Sequence, residues 1–182
     1  ETHGVSVSVE DVNRSAADIA RKAAGDSVFV LGNLGSTGQM LEPYGTFTEA
    51  QFEAAYREQA QALAGVDAFL IETMFDLAET LCAVRACKAV SELPVIVSMT
   101  FTTLANGGRT MMGNGAGDCA EALTEAGASV VGTNCGDLSP MEMATIVGTL
   151  RERTPLPILV EPNAGKPKLV GDTTVYDMPP SE

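Results

Sequence analysis

Cys135 is the residue best placed to do chemistry: it follows a short apolar run, Val130-Val131-Gly132, within Thr133-Asn134-Cys135-Gly136-Asp137. A thiolate at that point could act as a nucleophile or as a zinc ligand; an inert buried thiol is the alternative. Nucleophilic use wants a histidine as base, and the single histidine, His3, lies near the chain start. Metal ligation is therefore the better functional reading. Glu72, in Glu72-Thr73-Met74-Phe75-Asp76, closes another apolar run. A carboxylate there can hold a substrate ammonium by a charge-assisted hydrogen bond, or it can be solvated or salt-bridged. Asp76 reads as the cap of the next helix.

Those residues need a scaffold, and the sequence supplies one in alternation. Apolar runs of strand type start at Val28, Ala68, Val95, Val130 and Ile158, at intervals of 40, 27, 35 and 28 residues. Their hydrophobicity is continuous rather than alternating, as expected of a parallel sheet covered on both faces. Between them lie helix signals. Thr48-Glu49-Ala50-Gln51 reads as a capping box, Asp76-Leu77-Ala78-Glu79 opens a helix in a similar way, and Ser139-Pro140-Met141-Glu142 places Pro at the first helical position. Further helices are expected from about Val9 to Ala24 and from about Asp118 to Ala126. With no linker or low-complexity run, residues 1–182 read as one α/β domain. Periodicity alone leaves a doubly wound sheet and part of a barrel both open.

In either architecture ligands gather at the C-terminal strand ends. The loop after the first run, Gly32-Asn33-Leu34-Gly35-Ser36-Thr37-Gly38, has glycines that could cradle a pyrophosphate, but their spacing is G-x-x-G-x-x-G rather than G-x-G-x-x-G. It reads as a turn-rich loop. Twenty-four acids against eleven bases leave a formal charge of −13, which makes nucleic acid and anionic membrane poor partners. The four cysteines form no C-x-x-C pair, which points to a reducing, cytoplasmic setting. No signal sequence and no apolar stretch of about 18 residues is readable. The length falls short of the roughly 250 residues of an eight-fold β/α barrel.

Taken in order, these segments resemble the homocysteine S-methyltransferase family, most closely the homocysteine-binding module of cobalamin-dependent methionine synthases. The resemblance rests on Gly32 to Gly38 with Leu41-Glu42-Pro43-Tyr44-Gly45, on Leu70-Ile71-Glu72-Thr73-Met74-Phe75-Asp76, and on Ser98-Met99-Thr100-Phe101 with Gly108-Arg109-Thr110. It continues through Gly132-Thr133-Asn134-Cys135 and Glu161-Pro162-Asn163-Ala164-Gly165-Lys166-Pro167 with Thr174-Val175-Tyr176. Ser36 stands where relatives usually have Pro.

The resemblance implies a (β/α)8 TIM barrel of which this chain covers about strands 3 to 7. It implies zinc held by three thiolates, with Cys135 matching the first. The other two, an adjacent Cys-Cys pair, have no counterpart here and are expected beyond Glu182. Zinc would convert the homocysteine thiol to a thiolate, which takes a methyl group to give methionine. Glu72 would hold the substrate amino group, Thr133 and Asn134 would shape the pocket, and Asn163 would sit beside the metal as an exchangeable ligand. The methyl donor implied is methylcobalamin on a partner domain or subunit, since no corrinoid-binding D-x-H-x-x-G motif is present. Two alternatives stay open: a non-catalytic barrel fragment, and a related thiol methyltransferase using S-methylmethionine or betaine.

Overall fold

The computed structural model describes residues 7–176 and Met178; His3 and the extreme ends of the chain lie outside the described residues. The chain runs through α1 (Val9–Ala24), β1 (Leu31–Leu34), α2 (Glu49–Ala62), β2 (Ala68–Met74), α3 (Leu77–Val90) and β3 (Val95–Met99). A short hairpin of β4 (Phe101–Thr103) and β5 (Arg109–Thr110) follows, then α4 (Ala116–Glu125), β6 (Val130–Asn134), α5 (Pro140–Arg153) and β7 (Ile158–Glu161). A second hairpin, β8 (Lys168–Val170) and β9 (Thr173–Val175), comes last. No helix among the described residues is long and apolar enough to cross a membrane.

Local chemistry sets the helix starts. The Thr48 and Ser139 hydroxyls each accept from the backbone N–H three residues on, and Gln51 and Glu142 reach back to the cap N–H, closing two capping boxes. α3 starts differently. Asp76 caps it by accepting from Ala78 N–H at 2.9 Å, but Glu79 does not return to the cap; its carboxylate reaches the loop after β1. α4 begins at Ala116 rather than near Asp118, because Gly115 caps it without any side-chain bond and so leaves no cap signal to read.

β1, β2, β3, β6 and β7 form one parallel sheet in sequential order. A doubly wound sheet reverses its order at a switch point; the five described strands show no such reversal. Right-handed crossovers between successive neighbours place the connecting helices on one face. Exposure agrees. Leu34, Phe69, Ile71, Val95, Val97, Met99 and Val131 turn to the helices and are at most 2% exposed, whereas Leu31, on the other face, is 41% exposed. Each fully buried side chain of this kind contributes roughly 1.5–3 kcal/mol. The expectation of a sheet covered on both faces is thus corrected: among the described residues the helices cover one.

The first strand also starts later than the apolar run suggested. Val28 and Phe29 are 59% and 83% exposed, because β2 begins at Ala68 opposite Leu31 and leaves the preceding residues no strand to pair with. The Val30 N–H is taken instead by the Asp67 carboxylate at 2.6 Å.

Candidate functional site

The site is built from the C-terminal ends of β2, β3, β6 and β7. β6 extends through Thr133 and Asn134, so these are strand residues and not part of a following loop. Gly132 makes this possible: a Cβ there would meet the Leu159 carbonyl oxygen at 2.3 Å, so only glycine lets β7 lie this close. The ladder carries on past the strand, with Cys135 N–H donating to the Glu161 carbonyl at 3.1 Å.

Asn134 is 2% exposed, and its amide is fully engaged. Oδ1 accepts from Thr73 N–H at 3.1 Å and from Ser98 Oγ at 2.9 Å. Nδ2 donates to Thr73 Oγ1 at 2.8 Å and to Cys135 Sγ at 3.2 Å. Two donor hydrogens and two acceptor lone pairs are the whole capacity of a carboxamide, so nothing is left for a ligand. Asn134 ties β2, β3 and Cys135 together rather than offering a polar contact to a substrate.

Cys135 itself has φ +52° and Gly136 has φ +76°. A Cβ on Gly136 would lie 2.9 Å from the Phe101 carbonyl oxygen. The backbone therefore turns sharply after β6 and leaves the thiol half-buried at the strand end. The other three cysteines are different in kind. Cys82, Cys87 and Cys119 are helical and fully buried, and burial pushes their thiols up to about 11, 12 and 12.

Glu72 lies within β2 and not beyond its end, inside an irregularity. The step from Ile71 to Met74 faces the shorter step from Val97 to Met99, so one extra residue bulges out. Thr73, in that bulge, has φ +59°, a conformation a β-branched residue adopts only when its surroundings impose it; Asn134 does so from both sides. Glu72 is half-buried, and its carboxylate accepts from Asn33 Nδ2. Asn163, after β7, donates Nδ2 to the Gly136 carbonyl at 3.1 Å. That bond sets its carboxamide beside the Cys135–Gly136 turn and leaves its oxygen out of the contact.

The structure thus gathers Asn134, Cys135 and Asn163 and places Glu72 on the adjoining bulge. Thr133 is placed apart. Strand alternation turns it to the face opposite Asn134, where it is fully buried and its Oγ1 has no partner among the described residues. Sequence reading missed Ser98 and Thr73, whose hydroxyls are ordinary until a neighbouring strand brings Asn134 to them.

As a metal site these donors are a partial set. No other His, Cys, Asp or Glu among the described residues joins Cys135 in a group of three; such a group is formed by Glu49, Glu53 and Cys82, far along the helix layer. There Arg85 already binds Glu53 at 2.6 Å, Glu49 at 2.7 Å and Cys82 Sγ at 3.2 Å. A guanidinium in place of a cation explains that cluster as an ion-pair network. Around Cys135 the described residues offer a single thiol, a donor type that suits a thiophilic metal but is not by itself a metal site.

A family model described as Homocysteine S-methyltransferase matches residues 1–182. The methionine synthase of Mycobacterium tuberculosis is 29% identical over 187 residues, covering 96% of this chain and 15% of that protein. The S-methylmethionine–homocysteine S-methyltransferase of Pongo abelii is 34% identical over 129 residues, 69% of this chain and 33% of its own length. Betaine–homocysteine S-methyltransferase 1 of Mus musculus is 33% identical over 133 residues, 71% of this chain and 30% of its own. Among solved structures, the apo form of the homocysteine methyltransferase MmuM from Escherichia coli superposes with a TM-score of 0.74 at 20% identity, over 89% of this chain and 64% of that one. Its metallated form gives a TM-score of 0.71. At such identity the likeness establishes the fold. The chain spans less than two thirds of the length of every one of these relatives.

Proposed function

This chain belongs to the homocysteine S-methyltransferase family, and from that premise we propose that it is the central part of a barrel domain, about strands 3 to 7, that binds homocysteine and methylates its thiol at a zinc centre. The observation that carries this reading is the Cys135 thiol fixed at the end of β6 by Asn134, with Asn163 beside it and Glu72 on the neighbouring bulge. The sequential parallel sheet, open on one face, is what an arc of a barrel looks like before its remaining strands close over it.

Each residue then has a stated task. Glu72 exchanges its contact with Asn33 for the substrate ammonium, a charge-assisted bond. Asn134, its capacity filled, holds the thiol and the Thr73 backbone in place. Cys135 would contribute one thiolate ligand to the metal, and Asn163, held beside the Cys135–Gly136 turn, would serve as the exchangeable ligand that the substrate displaces. Zinc, when bound, supplies the Lewis acidity that keeps a thiol deprotonated at neutral pH. The two other thiolates that the resemblance implies cannot be Cys82, Cys87 or Cys119, which point into the helix layer; they come from outside this chain, and activity belongs to the full-length protein. Methylcobalamin on a partner domain or subunit, the donor the sequence resemblance implies, would supply the methyl group; the match to a methionine synthase over 96% of the chain supports methionine as the product. S-methylmethionine and betaine are the second reading, favoured by the relatives that use those names.

The test is metal analysis and calorimetry on the full-length protein. One zinc per chain is expected, lost in Cys135→Ser together with tight homocysteine binding. Stoichiometric zinc retained in Cys135→Ser would overturn the assignment.

A further inference from the structure

Among the described residues Glu79 is the one buried carboxylate whose bonds leave its own helix for the loop after β1, and it is not used in the chemistry above. It is 1% exposed. Its oxygens accept from Ser36 Oγ at 2.9 Å, Thr37 N–H at 2.7 Å, Thr37 Oγ1 at 2.8 Å and Tyr56 OH at 2.7 Å. Ser36 Oγ and Thr37 Oγ1 in turn each accept from the backbone two residues on, from Gly38 and Gln39, both at 3.2 Å. Burial, reinforced by the adjacent Glu79 carboxylate, holds the Tyr56 phenol well above its ordinary range, so this donor stays protonated.

The strand that leads into this loop is tied to the candidate site. Asn33 donates to Glu72, and its carbonyl accepts from Gln59 Nε2 at 3.2 Å. Gly35 lies against the Glu72 backbone, its Cβ position 3.9 Å from the Glu72 carbonyl oxygen. Two carboxylates on the β2–α3 segment therefore stitch one loop down. Glu72 is half-buried and able to change partner; Glu79 is buried with every bond internal.

We propose that Glu79 is a positioning residue for the amino-acid end of the substrate: by clamping Ser36 and Thr37 it fixes the loop that leaves β1 just after Asn33 and lays Gly35 on the Glu72 backbone, and so sets where Glu72 meets the ammonium group. This rests on the proposed homocysteine site. A misplacement of roughly 1 Å can cost up to about 100-fold in rate, and a charge-assisted bond made off its geometry is weaker as well, so a loosened clamp should be visible in affinity.

The experiment measures homocysteine Kd by calorimetry, and amide hydrogen exchange of residues 35–38, on the full-length wild type, Glu79→Ala, Glu79→Gln and the double variant Ser36→Ala/Thr37→Val. The loop variant leaves Glu79 in place and so carries the test whether or not Glu79→Ala folds; the two changes are also combined in one chain. Kd should rise roughly 10-fold in Glu79→Ala and in the loop variant, with exchange at 35–38 accelerated and no further rise when the two are combined. Glu79→Gln, which keeps one acceptor oxygen, should recover part of the loss. An unchanged Kd in the folded loop variant overturns the positioning role while leaving the homocysteine site standing. A wild type that does not bind homocysteine overturns both.

Discussion

Thr73 and Cys135, on strands separated by β3, both hold left-handed backbone, φ +59° and +52°, and one amide donates to both side chains: Asn134 Nδ2 lies 2.8 Å from Thr73 Oγ1 and 3.2 Å from Cys135 Sγ. Two unfavourable backbone conformations, each costing about 1–3 kcal/mol on its own, are thus stabilised by a single residue. The bulge that carries Glu72 and the turn that carries the thiol are mechanically one unit.

Removing that residue should therefore hurt twice. Asn134→Ala leaves the Thr73 N–H and the Ser98 hydroxyl without their partner, and stability is expected to fall by about 2 kcal/mol or more, measured by urea unfolding. Homocysteine affinity should fall with it, because both the bulge and the turn relax. A variant with wild-type stability would show that Asn134 is not the tie described.

Glu72 is expected to behave in the opposite way. It is half-buried and its one side-chain partner is Asn33, so Glu72→Gln should leave the melting temperature nearly unchanged. Replacing a charge-assisted bond by a neutral one should weaken homocysteine binding roughly 10-fold. Calorimetric titration of the full-length variant decides it, and equal affinity would remove Glu72 from the substrate site.

How much of this could be read from the chain is instructive residue by residue. The α/β alternation, the caps at Thr48, Asp76 and Ser139, and Cys135 as the singular thiol were legible, because each depends on nearby sequence. The order of the sheet was not legible in the periodicity, since it depends on which strands meet, although the family resemblance implied the sequential order found. Nor was the fate of Asn134 and Thr133, adjacent residues that strand alternation sends to opposite faces. The bulge at Glu72 left no mark in the apolar run, and Glu79, which reads as a helix-capping acid, turns out to face a loop 42 and 43 residues away.

Thiol chemistry separates the four cysteines without any ligand. Burial raises Cys82 to about 11 and Cys87 and Cys119 to about 12, so all three stay protonated at pH 8, and all are fully covered. Of these four cysteines, Cys135 alone should be alkylated when native, metal-free protein is treated with iodoacetamide at pH 8, with the other three reacting on unfolding. Peptide mass spectrometry showing native labelling of a helical cysteine would contradict the packing of α3 or α4.

Acid should loosen the start of the sheet. Asp67 accepts from Val30 N–H and from Arg21 at 2.7 Å, and these bonds hold its carboxyl below the ordinary 3.8. With the folded pKa depressed, its contribution is present in full above the unfolded value and is lost as pH falls through the folded one. The stability gap between wild type and Asp67→Asn should be constant from pH 7 to about 5 and should narrow below about pH 4. Urea midpoints across that range check it; a gap that does not narrow in acid would remove Asp67 from the account.

The most direct measurement is methyl transfer by the full-length protein to homocysteine, with methylcobalamin, S-methylmethionine and betaine offered separately and methionine followed by mass spectrometry. Methionine is expected with methylcobalamin, and Cys135→Ser should abolish its formation. Undiminished methionine production by Cys135→Ser, or no methionine from any of the three donors, would contradict the site proposed here.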